Sequence, residues 1–392
     1  MKDVVIVEAA RTATGKFGGS LSKIPSPVLG GYCIKSIMEK SGILGSEIDE
    51  VIQGIHFQGG IKANGARQSV IYGGLPFEVP AFTPNKNCGT ALKAIHLAAQ
   101  SIQVGDNKVV IAGGAETMSA IPYLIDKARF GYKMGPGELR DSMFYDGMVD
   151  PFVNYHMGVT AENVAKKYGI TREAQDAFAL ESHLKSAQAW NSQKFQQDIV
   201  PIKLEGKSGL IEFIKDETYR EDLTAESLAK LKPAFLEGGT VTPGNASQLN
   251  DAAALVLMMS SEKADTLGLK PIVRYVAAAT SGVDPAYMGI GPITAVTKLL
   301  KKTGLKVEDI GLWELNEAFA SQALACINDL GLDRGKVNVN GGAIALGHPV
   351  GATGARLTIT LIREMQLRNE KYGVVTLCIG GGQGIAMLFE LI

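Results

Sequence analysis

The outer thirds of the chain alternate short Val/Ile-rich runs with stretches whose apolar residues recur every three or four positions. Residues 2–8, 50–55 and 108–112 read as strands, as do 311–315, 336–340 and 373–379. Residues 92–103 and 355–366 carry apolar side chains at helical spacing. Strands alternating with helices imply a layered α/β sheet. The pattern also repeats itself across an offset of about 262 residues. SGILGSEIDEVIQG (41–54) reads like TGLKVEDIGLWELN (303–316): a turn, a short acidic step and an apolar strand. NKNCGTALKAI around Cys88 falls opposite GHPVGATGARLTI around His348, each opening a helix after a Gly-, Asn- or Pro-rich turn. KVVIAGGAETM from Lys108 matches GVVTLCIGGGQG from Gly373, where a buried strand runs into a glycine-rich bend. Three matches in the same order predict a duplicated α/β unit, with a period far too long for a solenoid.

Residues 120–250 differ in character, being rich in Met, Tyr and charged residues, with a helix expected over 171–190 and little strand signal. They read as a mostly helical insertion between the halves, and loops on a rigid scaffold commonly carry binding groups. Residues 251–259 are again strongly apolar, a strand returning to complete the first half. The expected division is therefore 1–119 with 251–270, an insertion over 120–250, and a second half over 271–392.

Composition narrows the function. The 392 residues are 46% hydrophobic and 20% charged, values of an ordinary globular chain large enough for two or three domains. Thirty-nine basic residues against forty acidic ones leave a net charge of −1, so nothing attracts nucleic acid or anionic lipid from a distance. Residues 1–10 lack the basic flank and long apolar core of a signal peptide, and no apolar run is long enough to span a membrane. Cys33, Cys88, Cys326 and Cys378 lie far apart without a CxxC pair, which argues against a zinc site or a disulfide framework. Reduced thiols in the cytoplasm are expected. The 46 glycines, about 12% of the chain against a usual figure of about 7%, are clustered.

Four segments hold reactive side chains. Cys88 follows Pro84 and Asn87, precedes Gly89 and stands just before a helix expected from Thr90. A thiol there feels the positive end of the helix dipole, which favours a nucleophilic thiolate, although a small buried core thiol would look the same in isolation. His348 is surrounded by Gly341, Gly342, Gly347, Gly351 and Gly354, more glycine than a merely structural imidazole needs. Cys378 ends an apolar strand that runs into Gly380-Gly381-Gly382-Gln383-Gly384, a loop able to bind an oxyanion through its amides or simply to bend tightly. Asn316 and Glu317 follow another strand and suit either a helix cap or a catalytic group. The P-loop, dinucleotide-binding, nucleophile-elbow, zincin and paired-CxxC patterns are absent. Thiol-based acyl chemistry is what remains.

Taken together, ARTATGKFGGSL at Ala10, NKNCG at Asn85, HMGVTAEN at His156, GTVTPGNASQLND at Gly239, DPAYMGIGP at Asp284, NEAFA at Asn316, GGAIALGHPVGATGAR at Gly341 and CIGGGQG at Cys378 resemble the thiolase family along essentially the whole chain. The resemblance implies an α/β fold of five αβαβα layers, built from two duplicated halves with an inserted CoA-binding loop domain, assembled as a homotetramer or homodimer. It implies an acyltransferase, an acetyl-CoA C-acetyltransferase that joins two acetyl-CoA into acetoacetyl-CoA and CoA by a reversible, ping-pong Claisen condensation. It needs no cofactor or metal, because the coenzyme A thioesters are substrates.

Carried over residue by residue, the resemblance makes Cys88 the nucleophile that holds the acyl group, His348 the base that deprotonates it and Cys378 the second acid/base. Charge on the two reacting oxygens would be held at two sites, one made by His348 with a water on Asn316, the other by the backbone amides of Cys88 and Gly380. Arg220 would lie near the nucleotide end of CoA, and Ser247 and His156 along its pantetheine arm. Met157, Phe235, Met288, Ala318 and Phe319 would line an apolar tunnel, if they are not ordinary core. The HMG tripeptide at His156 favours a short-chain enzyme over a degradative 3-ketoacyl-CoA thiolase, and the intact reactive set favours either over a protein that only binds acyl-CoA. This chain departs from the family at Thr90 and Ala91 beside the nucleophile, at Pro243 and at residues 58–62.

Overall fold

The computed structural model describes residues 2–206 and 209–392. The first half runs through strand β1 (Val4–Thr12), helix α1 (Ser26–Ser41), β2 (Glu50–Gly54), β3 (Ala81–Phe82), α2 (Thr90–Val104) and β4 (Val109–Thr117). An excursion containing α3 (Met157–Tyr168) and α4 (Arg172–Asn191) then leads back into β5 (Asn250–Ser260). The second half comprises β6 (Val273–Gly282), α5 (Gly291–Thr303), β7 (Leu312–Leu315), α6 (Ala320–Leu330), α7 (Thr353–Arg368), β8 (Tyr372–Ile379) and β9 (Gln383–Leu391).

Pairing shows the duplication directly. In the first half β4 lies between a parallel β2 and an antiparallel β5, with β1 outside β5; in the second, β8 lies between a parallel β7 and an antiparallel β9, with β6 outside β9. The halves join where β1 meets β6 antiparallel through Val4↔Tyr275, Val5↔Arg274 and Ile6↔Val273. The result is an eleven-stranded sheet whose main path is β7-β8-β9-β6-β1-β5-β4-β2-β3.

Side-chain alternation turns this sheet into layers. Along β5, Ala254, Val256 and Met258 face a central core, whereas Leu255, Leu257 and Met259 face an outer one. The central core is filled by α2 and α7, through Leu92, Ile95, Leu357 and Leu361, packed between inward residues of both halves. Helix α1 covers the outside of the first half, and α5 and α6 cover the second. The layers are therefore helix, sheet, paired helices, sheet, helix. Each fully buried leucine of the middle layer contributes roughly 1.5–3 kcal/mol of hydrophobic stabilisation, which fixes the two central helices and so the loops that lead into them.

Two expectations change. Residues 336–340 do not form a strand: Val337 makes one parallel bridge to Trp313, after a short helical turn over Arg334–Lys336. Asn338 has a left-handed φ of 45° and substitutes its carboxamide for the ladder, accepting from Leu315 N at 2.9 Å and donating to Leu315 O at 2.8 Å. Its counterpart in the first half is the equally brief β3. The insertion carries the helix expected over 171–190 but is not mostly helical: α3, α4 and a short turn over Ala225–Ala229 stand among loops and two antiparallel pairs, Tyr123–Leu124 with Arg140–Asp141 and Ile202–Gly206 with Gly209–Phe213, the second with largely exposed Lys and Glu residues that give little apolar signal.

The loops of the two halves meet at the end of β4. Glu116 accepts from the backbone N–H groups of His56, Phe57 and Gly351 at 3.1, 3.2 and 2.8 Å. Gly114 permits the approach, since a Cβ there would lie 1.9 Å from Gly351 O.

Candidate active site

Cys88 occupies a single helical turn over Asn87–Gly89 that feeds α2. The turn is pinned by Lys86 N, which donates to Thr90 Oγ1 at 2.8 Å. Thr90, one of the departures from the family pattern, is accommodated by Gly54, where a Cβ would lie only 2.1 Å from Thr90 Cγ2. Asn87 takes a φ of 45° and donates its amide to Gly380 O at 3.1 Å, which ties the nucleophile turn to the glycine loop. The backbone N–H groups of Gly380 and of Cys88 itself pull the Cys88 thiol downward.

The electrostatics of this thiol differ from the reading of the sequence. Burial pushes it upward, against the pull of those two amides and with a further upward push from Glu116. Desolvation outweighs the helix end, so the resting group is a neutral thiol, and its proton has to be taken by a base as it reacts.

The base candidate is His348, 7% exposed at the mouth of α7. Its backbone N–H donates to Asn250 Oδ1 at 2.8 Å, its Nδ1 lies 2.7 Å from Thr353 Oγ1, and its buried Nε2 bonds to no protein atom. Burial, with smaller contributions from Arg356 and His56, pushes the imidazole down to about 3, so it is neutral across the physiological range.

Cys378, 1% exposed near the end of β8, packs with Ala161, Met288, Ala318 and Phe319. Burial first, and Cys88 second, push its thiol well above the ordinary value. The bend from β8 to β9 carries Gly381 and Gly382 at φ of 84° and 77°, and Gly381 N donates to buried Asp150 Oδ2 at 3.0 Å. Asn316 is fully buried, and neither its carboxamide oxygen nor its nitrogen has a protein partner. It is not a helix cap, because α6 begins only at Ala320. Neighbouring Glu317 accepts from Ser182 Oγ, Asn338 Nδ2 and Ile344 N.

A cavity of about 410 Å³ opens on this group. Cys88, His348 and Gly380 line it, together with His156, Met157 and Ser247. Phe235, Met288, Ala318 and Phe319 complete the part of the lining anticipated from sequence. His156 accepts from Gly158 N at 2.9 Å through Nδ1 and stacks on Phe235, with centroids 4.6 Å apart. Cys378 and Asn316 are buried outside the lining. Arg220 is not brought to the cavity: it is exposed, and its backbone N–H donates to His183 Nδ1 at 3.0 Å.

The lining also includes His56, Phe57, Asn87, Met118 and Met148, which sequence reasoning passed over, and Pro243, noted there only as a departure. His56 carried a signal that would have found it: one of five histidines, it stands two residues past β2, in the kind of position where α/β sheets place ligands. Asn85 Oδ1 lies 3.2 Å from its Nδ1.

Two α/β halves of one design, meeting over a cavity that holds a thiol and a neutral imidazole, define a class that comparison identifies. The family model described as Thiolase, N-terminal domain matches residues 4–262, and that described as Thiolase, C-terminal domain matches residues 269–391. The chain belongs to the thiolase family. A Pseudomonas aeruginosa protein named acetyl-CoA acetyltransferase is 53% identical over 388 residues, 99% of each chain. An Escherichia coli protein of the same name is 50% identical over 391 residues, 100% of this chain and 99% of the other. Among solved structures, the Bacillus anthracis acetyl-CoA acetyltransferase matches with a TM-score of 0.98 at 44% identity, and human mitochondrial 3-ketoacyl-CoA thiolase with 0.97 at 39%; each match covers 100% of this chain and 99% of the other. Among the described residues no helix is long and apolar enough to cross a membrane.

Proposed function

We propose that this thiolase-family enzyme is an acetyl-CoA C-acetyltransferase working by a ping-pong Claisen condensation through an acetyl-Cys88 thioester. The observation that carries the reading is a half-buried Cys88 that lines one cavity with Gly380 and with a neutral imidazole whose Nε2 has no protein partner. In the first half-reaction His348 takes the Cys88 proton and the thiolate attacks the acetyl-CoA carbonyl, whose oxygen gains charge against the amides of Cys88 and Gly380. The CoA sulfur leaves with the proton of Cys378. The site then holds an acetyl thioester, an imidazolium and a Cys378 thiolate.

In the second half-reaction the Cys378 thiolate takes a proton from the methyl carbon of a second acetyl-CoA. The developing enolate oxygen is held by the Nε2–H of His348 and a water on the Asn316 carboxamide, which has no protein partner to compete. The carbanion attacks the acetyl carbonyl, Cys88 departs as thiolate and recovers its proton from His348, and acetoacetyl-CoA is released. Three neutral groups at the start are three neutral groups at the end, consistent with the raised thiols and the lowered imidazole.

Residues 120–250 are proposed as the CoA-binding loop domain, between halves over 1–119 with 251–270 and over 271–392. Ser247 and His156 would meet the pantetheine arm, and Arg220, exposed beyond the cavity, would meet the nucleotide. Met157, Phe235, Met288, Ala318 and Phe319 would form the tunnel wall. Comparing the cleavage of acetoacetyl-CoA and 3-ketooctanoyl-CoA by free CoA tests the substrate. Acetoacetyl-CoA is expected to be preferred by roughly tenfold or more in kcat/KM, and faster cleavage of the longer chain would favour a degradative thiolase.

A homotetramer or homodimer is part of the proposal. Phe130 and Met134 of the insertion are 92% and 97% exposed, the kind of apolar surface that assembly covers. Equilibrium sedimentation giving a monomer at micromolar concentration would contradict it. The free thiols of Cys33, Cys88, Cys326 and Cys378 support a reducing, cytoplasmic setting, which fractionation of the source cells tests.

A further inference from the structure

The neutral imidazole of His348 has two tautomers, and only one leaves Nε2 able to accept a proton from Cys88. The choice is made on the other side of the ring. Thr353 Oγ1 lies 2.7 Å from His348 Nδ1 and 2.8 Å from the carbonyl oxygen of Pro349. A hydroxyl has a single hydrogen to give. If it pointed at Nδ1, an oxygen lone pair would face the Pro349 carbonyl oxygen at 2.8 Å with nothing between them. If it points at Pro349 O, then Nδ1–H donates to Oγ1 and both short contacts are attractive. Thr353 is itself immovable: it is fully buried in the first turn of α7, and its own N–H is fixed on Pro349 O at 2.9 Å.

We infer that Thr353 is a positioning residue that holds the proton of His348 on Nδ1, so that Nε2 faces the cavity as a lone pair in the resting enzyme and as an N–H only after it has taken the Cys88 proton. The hydrogen bond made by one ring nitrogen sets the state of the other. Because Nδ1–H is retained throughout, the imidazolium gains and loses its proton at Nε2 alone, where the chemistry is. The inference rests on the reading of His348 as the base.

His156 provides an internal contrast. Its Nδ1 accepts from Gly158 N at 2.9 Å, and a backbone amide can only donate, so this ring carries its proton on Nε2. With five histidines in the chain, NMR of the full-length protein carrying isotope-labelled histidine can compare the two rings directly. The unaltered protein is expected to show His348 protonated at Nδ1 and His156 at Nε2. Thr353→Val, which keeps the shape and loses the hydroxyl, is expected to mix the His348 tautomers and to lower kcat for acetoacetyl-CoA cleavage by roughly 10- to 100-fold, with KM changed by less than about threefold. Thr353→Ser is expected to restore both readouts, kcat to within about threefold of the unaltered protein. A His348 proton on Nε2 in the resting protein would overturn the inference even with His348 essential, and so would a serine variant as slow as the valine one. Full activity of His348→Ala would instead remove the reading beneath it.

Discussion

Replacing Cys88 by alanine is expected to slow acetoacetyl-CoA cleavage by roughly 10⁴-fold or more, the scale of losing a covalent nucleophile. The side chain is small and opens on the cavity, and the turn that carries it is held by the Lys86–Thr90 bond and by Asn87 on Gly380, neither of which uses the sulfur. The variant should therefore fold as the parent does, with an unchanged circular dichroism spectrum, and still bind CoA. Serine at the same place is expected to be nearly as slow, because the burial that already raises a thiol leaves a hydroxyl far harder to ionise. A steady-state assay with free CoA measures the loss, and a Cys88→Ala protein within about tenfold of the parent would exclude covalent catalysis at this sulfur.

Cys378→Ala is expected to separate the two half-reactions. Proton removal from a methyl carbon needs a base at that carbon, and with the sulfur gone condensation and thiolysis should each fall by roughly 10³-fold. Transfer of acetyl from acetyl-CoA onto Cys88 should fall far less, since a CoA thiolate is a weak base that can depart without help. The variant should then accumulate acetyl-enzyme that it cannot use. Rapid quenching followed by intact-protein mass measurement distinguishes the cases: equal loss of acetylation and condensation would mean that Cys378 serves Cys88 rather than the second substrate.

Where these groups would meet was largely legible in the sequence, because the duplicated pattern gives the topology. Cys88 and His348 stand at equivalent points of the two halves, ahead of α2 and α7, and the central layer brings those two helix starts to one end of the molecule. The strand at 336–340 was misread because Val337-Asn338-Val339 alternates like a strand, whereas Asn338 turns left-handed and pairs through its side chain. The ionisation of Cys88 was misread for a deeper reason. A helix start is visible in one dimension, but the enclosure that desolvates the sulfur comes from the glycine loop and the insertion, hundreds and tens of residues away. The same holds for Asp150, which anchors Gly381 from within the insertion, and for Glu116, which lies in the repeated segment from Lys108 but whose grip on amides of both halves no spacing reveals. Asn316 was ambiguous between cap and catalyst until its carboxamide proved buried without a partner.

One measurement decides whether a covalent acetyl group on a single sulfur is the heart of this enzyme. The protein is mixed with acetyl-CoA alone, quenched in acid within a turnover, digested, and its peptides are read by mass spectrometry. The account predicts an acetyl group on the peptide bearing Cys88, approaching one per chain and discharged when free CoA is added. Active enzyme that carries no such group, or carries it on another residue while Cys88 stays bare, would contradict it.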